Sequence, residues 1–446
     1  MYVTETAERD EKMKFFGRKI PLIYLNLAGF ALGCLAGLAL YKFGLSHSAE
    51  LGKIIAVISP FGNVLVNMLK MIVIPIIFFS LVCGAATMPA KSFGKMGLGV
   101  CGWYFFTSLY AAIFGTIIAV ILDPTLQSAE KMAAGMMKQV ESMKGASAGG
   151  GNALVNLLYS LFSNPFKALA EGNFLAVIVF AILFGLAARI VLDTTRDEKV
   201  KNALNTMLDV CQGCQYAIFK MIEWIMAYFP IGIFALTACS FATYGISLFQ
   251  SYLQVAGCVI LGVLLMIGVC YPLMIFMFCR VNPYPVIWAL REPILTAFVT
   301  RSSAATLPVS LRTVEEKFRV RKELSSFTLS LGATVNMDGV CVHLPVFAVL
   351  AANMFGFELT IVQLLLLVLS VVFASVGAGG VPGGSIFLLF LVLDAINLSA
   401  PQTATIVALA LGINPLLDMV ETACNVAGDN IGTFVVGKKM NMLDGK

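Results

Sequence analysis

Long apolar runs separated by short charged clusters set the pattern of this chain. Such runs fall near 20–43, 54–86, 96–122, 153–192, 203–236, 251–279, 325–351 and 400–437. Each is longer than the ~20 residues a helix needs to cross a bilayer. None alternates with period 2 as a barrel strand would, and backbone in lipid must close its own hydrogen bonds, so the runs predict helices. Two further apolar stretches, 284–311 and 359–397, break at their centres into small residues, TRSSAATLPVS and SVGAGGVPGGS. Gly, Ser and Pro at those centres predict re-entrant hairpins that turn inside the membrane, against the alternative of kinked helices. The expected fold is all-α and integral to the membrane: eight transmembrane helices plus two re-entrant hairpins.

The charges between the runs set an orientation. With the N-terminus inside, cytoplasmic loops fall at 87–95, 193–202, 280–283 and 312–323, the last holding Arg312, Lys317, Arg319, Arg321 and Lys322. Segment 237–252 has no charge and 352–358 only Glu358, as the positive-inside rule requires. Were the two broken stretches full spans, basic segments would fall outside. Lys438 and Lys439 then place the C-terminus inside too. A hairpin followed by a polar-interrupted helix occurs twice, 284–311 with 325–351 and 359–397 with 400–437, and the two units enter from opposite sides. Inverted repeats of this kind place a substrate near the midplane of secondary transporters.

Composition agrees: 59% of the 446 residues are hydrophobic and 12% charged, against about 25% charged in soluble domains. The net charge of +5 therefore reports topology rather than a nucleic-acid partner. Residues 1–19 read as a cytoplasmic arm, and 123–152, rich in Gly, Ala, Met and Lys, as a flexible outer loop. The eleven cysteines read as small hydrophobes, Cys211-x-x-Cys214 included, since no second pair or histidine accompanies it. With His47 and His343 the only histidines and no H-E-x-x-H, zinc hydrolysis is excluded. Lys70 reads as snorkelling or inter-domain, Arg291 and Glu292 as a structural pair, and Trp103 and Trp224 as packing or interface aromatics.

Three polar constellations lie inside the apolar runs. In DMVETACNVAGD, Asp418, Glu421, Thr422, Asn425 and Asp429 fall on one helical arc about 100° wide. A membrane-centre acid costs about 2.5–3.5 kcal/mol, so three together cost about 8–10 kcal/mol. Such a stripe faces a polar cavity or bound cations. In GATVNMDG, Asn336 and Asp338 are two apart and address one cavity only if the helix unwinds, which Gly332 and Gly339 permit. Unwound carbonyls with Asn and Asp oxygens suit a bare alkali cation. At the hairpin tips, RSSAAT (Arg301 to Thr306) offers hydroxyls and free amides for a carboxylate, and GAGGVPGG (Gly377 to Gly384) a flexible lid.

Together TRSSAATLP, GATVNMDG, GAGGVPGG and NVAGD, over almost the whole chain, resemble the sodium-coupled glutamate and neutral amino acid transporter family. The resemblance implies a homotrimer and elevator-type transport. It implies a scaffold of residues 20–86 (spans one and two) and 153–236 (spans four and five). It implies a transport domain of residues 96–122 (span three) and 251–437 (span six, hairpin one, span seven, hairpin two, span eight). Carried over by residue, the substrate α-carboxylate meets Ser303, Asn425 and amides of the first tip, Ser302 included; the α-ammonium meets Asp418, Thr422 and the carbonyls of Arg301 and Val381. Sodium, the co-transported ion, takes one site at Gly332, Asn336, Asn425 and Asp429. A second uses carbonyls around Thr334, Ser375, Val376 and Ala378, where Ala378 replaces the usual Thr. A third uses Tyr104, Thr107, Ser108, Asn336 and Asp338. A prokaryotic inner (plasma) membrane location follows, with no nucleic-acid partner.

Two departures bear on the substrate. Acidic-substrate members place Arg at Glu421 and usually Thr at Val340. A dicarboxylate would here meet a like charge in low dielectric. Glu421 is answered by a hydroxyl on serine or threonine, by a basic side chain, or by neutralisation through Arg301 or a proton. ETACN, LRE and SNPFKALAEGNF resemble the bacterial serine/threonine symporter branch, whereas NMDG is closer to the glutamate branch. The expectation is a sodium-coupled symporter of small neutral amino acids (serine, threonine, alanine). Acidic or basic substrates, proton coupling and an ion channel are the alternatives. No nucleophile–base pair or metal motif supports an enzyme.

Overall fold

The computed structural model describes residues 12–15, 18–42, 49–86, 95–124, 162–171, 174–376, 383–396 and 398–444. The arm expected at 1–19 carries a strand pair, β1 (Lys12–Phe15) and β2 (Arg18–Pro21), antiparallel with Phe15 opposite Arg18. Apart from it and one bridge between Val320 and Leu443, the regular elements are helices. Among the described residues eight helices are long and apolar enough to cross a membrane, at the places of the eight expected spans. The outer loop expected at 123–152 lies, beyond Pro124, outside the described residues, as do loop residues 87–94.

One group of helices holds together through glycine contacts. Helices α1 (Leu22–Lys42), α2 (Ala49–Ala86), α5 (Phe174–Thr194) and α6 (Glu198–Tyr244) pack pairwise, and a short α4 (Pro165–Glu171) precedes α5. Gly29, Gly33 and Gly37 are spaced by four and so share one face of α1. A Cβ at Gly33 would lie 2.8 Å from the Phe234 carbonyl oxygen, and one at Gly37 2.5 Å from that of Ala238. Small residues thus let α1 and α6 approach backbone to backbone. The apolar run of the fifth span begins at 203. The helix starts earlier, at Glu198, because Asp197 caps it by accepting the Lys199 N–H at 2.9 Å.

The second group surrounds α13 (Asp338–Phe355), which is buried along nearly its whole length. Helix α3 (Lys95–Leu122) lies along it, and Gly115 admits the backbone of Val342. Helix α7 (Ser247–Leu265) continues through a π turn, Met266–Cys270, into α8 (Tyr271–Cys279). The two interrupted stretches form consecutive packed helices. In the first, α9 (Pro283–Ala289), α10 (Arg291–Thr300) and α11 (Ser303–Glu316) lead into α12 (Lys322–Val335). In the second, α14 (Ile361–Ser375) and α15 (Gly384–Ala395) pack on each other and on α13. The 40-residue α16 (Ala400–Lys439) touches all of them.

Peripheral charges depart from the sequence reading at one point. Arg291 and Glu292 do not pair, because neighbours in a helix point apart. Arg291 instead stacks on the Trp288 ring, and Glu292 pairs with Arg312. Trp103 packs edge-on against Phe278, while Trp224 is 65% exposed. The side chain of Lys70 lies outside the described residues.

Candidate functional site

The polar stripe of α16 is built by the ordinary helical repeat. Asp418, Glu421, Thr422, Asn425 and Asp429 are all buried. The first four line one small cavity with Arg301 and Ser303 of the first interrupted stretch, Met337 and Val340 of the broken helix, and Gly384 and Ser385 of the second interrupted stretch. Its volume is about 20 Å³, room for about one water. Burying three acids in one stripe is tolerable only with partners, and each has one nearby.

Asp418 is the meeting point of both interrupted stretches. Arg301 follows α10 with φ 54°, a left-handed conformation uncommon outside glycine. That turn reverses the chain before α11, whose N-cap Ser302 accepts the Ala305 N–H at 3.2 Å. The Arg301 guanidinium Nη1 stands 3.8 Å from Asp418 Oδ2. From the other stretch, the Gly383 N–H donates to the same oxygen at 3.1 Å, with Gly383 itself at φ 77°. Thr422 donates its hydroxyl to the Asp418 carbonyl at 2.7 Å, and Ser385 its hydroxyl to Asn414 at 3.4 Å.

Glu421 is not met by Arg301. Its Oε1 faces Nδ1 of His343 on α13, and both side chains are about 1% exposed. The sequence reading used His343 only to exclude zinc chemistry. A signal was present: His343 is three residues after Val340 and so shares its helix face.

The chain between α12 and α13 unwinds as the GATVNMDG spacing predicts. Asn336 (φ −101°, ψ 94°) and Met337 (φ −117°, ψ 62°) are non-helical. Asn425 holds the break shut by accepting the Gly339 N–H at 2.7 Å, which leaves the Nδ2 of this cavity-lining amide to donate. Gly339 also abuts the backbone carbonyl of Glu421, where a Cβ would collide.

The unwound segment carries a second cluster, of oxygens. Asn336 Oδ1 accepts from Thr107 Oγ1 at 3.1 Å and Ser108 Oγ at 3.5 Å, and Ser108 reaches Asp338 Oδ1 at 3.4 Å. Thr107 also donates to the Tyr104 carbonyl at 3.2 Å, whereas the Tyr104 hydroxyl turns away to the Thr328 carbonyl. Asn336 Nδ2 donates to Asp429 Oδ1 at 3.0 Å. Asp429 and the Tyr104 hydroxyl crowd Gly332, where a Cβ would lie 2.5 and 2.6 Å from them. Tyr271, absent from the sequence reading, donates to Asp338 Oδ2 at 2.7 Å from just beyond the π turn, a distortion frequent at functional sites.

The remaining expected positions are less concentrated. The hydroxyls of Thr334 and Ser375 bond within their own helices, to the Leu331 and Val372 carbonyls. Val376 caps α14 with its N–H on the Ala374 carbonyl. Ala378 and Val381 lie outside the described residues.

Comparison with known proteins identifies the family. The profile of the sodium:dicarboxylate symporter family matches residues 22–439. Neutral amino acid transporter B(0) of Oryctolagus cuniculus is 30% identical over 92% of this chain and 79% of its own length. Serine/threonine transporter SstT of Bifidobacterium adolescentis is 31% identical over 83% and 82%. Excitatory amino acid transporter 3 of Mus musculus is 28% identical over 95% and 86%. The chain is therefore a multi-pass membrane transporter, not an enzyme, and belongs to the sodium:dicarboxylate symporter family.

Proposed function

We propose that the chain is a sodium-coupled symporter of small neutral amino acids, with serine, threonine and alanine the first candidates. The observation that carries this reading is Glu421, an acid buried beside Val340 at the cavity where a dicarboxylate side chain would need a cation. A second carboxylate brought there meets repulsion in a low dielectric. Relatives named as neutral amino acid and serine/threonine transporters support the choice.

In this reading Asp418 and Thr422 take the α-ammonium, joined by the carbonyls of Arg301 and Val381. Ser303, the Asn425 amide and the tip at Ser302 take the α-carboxylate. Val340 and Glu421 face the side chain. A cavity with room for about one water has to widen first. The Arg301 guanidinium lies beside Asp418 where the substrate's ammonium belongs, so one cation replaces the other. Sodium would bind within Thr107, Ser108, Asn336, Asp338 and the Tyr104 carbonyl, whose close oxygens suit a hard cation. A further ion would use Gly332, Asn336, Asn425 and Asp429, and another the carbonyls near Thr334, Ser375, Val376 and Ala378.

Among the described residues the cavity is lined by Arg301, Met337 and residues of α11, α13, α15 and α16, all in the second helix group. A site held within one packed body crosses a membrane when that body moves. This supports an elevator in which α1, α2, α5 and α6 form the scaffold of a homotrimer and the two interrupted stretches are re-entrant hairpins. A cavity with room for about one water is unlike a continuous pore, which disfavours a channel. Uptake of labelled serine into proteoliposomes tests the coupling: it should require an inward sodium gradient, and uptake unchanged by its removal would overturn the proposal.

A further inference from the structure

We infer that His343 is a specificity-determining positioning residue. It anchors Glu421 by one carboxylate oxygen and leaves the other as the acceptor that selects a side-chain hydroxyl on the substrate. The inference rests on the reading above, in which Glu421 faces the substrate's side chain.

Both residues are buried, on different helices, with Nδ1 against Oε1. Glu421 lines the cavity and His343 does not, so the histidine reaches substrate only through the carboxylate. A neutral imidazole has one N–H. Neither ring nitrogen makes a hydrogen bond of ordinary geometry, but only Nδ1 faces a carboxylate oxygen, so a proton there points at Glu421 whereas one on Nε2 would have no acceptor. The ring cannot easily turn, because Phe347, one turn further on, meets it edge-on at 4.9 Å. The helices cannot easily slide, because Gly339 abuts the Glu421 backbone and its N–H is held by Asn425.

Both Glu421 oxygens are buried without a hydrogen bond of ordinary geometry; Oε1 faces Nδ1 of His343, while Oε2 faces no donor. Such an acceptor favours a ligand that brings a donor. The nearby cation, on Arg301, is directed to Asp418 rather than to Glu421. Val340, three residues before His343, supplies an apolar part of the wall of the cavity that Glu421 also lines. A short side chain carrying one hydroxyl fits this pairing, as on serine or threonine. Alanine matches the wall but brings no donor.

The test is transport of serine and alanine by the reconstituted full-length protein under a fixed sodium gradient. His343→Phe keeps an aromatic ring and removes the donor. It should raise the serine KM at least about tenfold and leave the alanine KM within about threefold. In a Glu421→Gln background the same change should alter the serine KM by less than about twofold, since the pair is already broken. An equal loss for both substrates, or an undiminished effect in the Gln background, would overturn the inference. Should His343→Phe not fold, Asn and Gln replace it. The Asn amide nitrogen lies near the place of Nδ1 and the Gln nitrogen near that of Nε2. His343→Asn should therefore keep the serine preference and His343→Gln lose it; equal behaviour overturns the assignment. If Glu421→Gln alone leaves the serine-to-alanine ratio unchanged, the side-chain role of Glu421 fails first, and the role of His343 with it.

Discussion

Arg301 and Asp418 face each other across the cavity at 3.8 Å, and the Gly383 N–H donates to the same Asp418 oxygen at 3.1 Å. One carboxylate therefore gathers backbone and side chain from two interrupted stretches about eighty residues apart. Asp418→Asn keeps the shape and removes the charge that an ammonium would require. Losing one member of a buried charged pair costs about 2–5 kcal/mol. Serine uptake is expected to fall at least about thirtyfold, and equilibrium binding of serine to the purified variant checks that the loss lies in recognition.

The oxygen cluster of Thr107, Ser108, Asn336 and Asp338 should report on the cation and not on the amino acid. Thr107→Val removes one hydroxyl at nearly constant volume. The sodium concentration for half-maximal uptake should rise about tenfold, while the serine KM at saturating sodium changes by less than about twofold. Uptake measured as a sodium titration at two serine concentrations separates these effects.

Gly332→Ala places a methyl group 2.5 Å from Asp429 Oδ1 and 2.6 Å from the Tyr104 hydroxyl. Overpacking of this kind costs about 1–3 kcal/mol. Thermal unfolding of the purified protein should show a lower midpoint and a smaller stabilisation by added sodium than in the parent protein.

Gly37→Val tests the other helix group. The first carbon alone would lie 2.5 Å from the Ala238 carbonyl oxygen and 2.6 Å from the Phe241 Cβ, so α1 must separate from α6 at a comparable cost of about 1–3 kcal/mol. Stability in detergent should fall, and the serine KM of the protein that remains folded should be unchanged. A shifted KM would mean that α1 shapes the substrate site.

Much of this was legible in the residues. The runs that alternate between oily spans and basic loops located the eight long helices, though with several residues' error at the ends of the fourth and fifth, because lipid leaves the backbone few alternatives. The break at Asn336 and Met337 was readable because two polar residues two apart cannot share a helix face. The helix break at Arg301 was readable because small polar residues interrupt an apolar run there. What escaped reading depended on contacts between distant segments. The partner of Glu421 is His343, 78 residues earlier, and no local pattern joins them. Tyr271 reaches Asp338 only because a π turn rotates the end of its helix, and MIGVC carries no letter that demands one.

The most direct measurement is competition. Sodium-driven uptake of labelled serine into proteoliposomes would be challenged with each of the common amino acids. Serine, threonine and alanine should compete strongly, aspartate and glutamate weakly, and Glu421→Arg combined with Val340→Thr should move the preference toward the acidic pair. A parent protein that takes aspartate ahead of serine would contradict the account at its centre, the reading of Glu421.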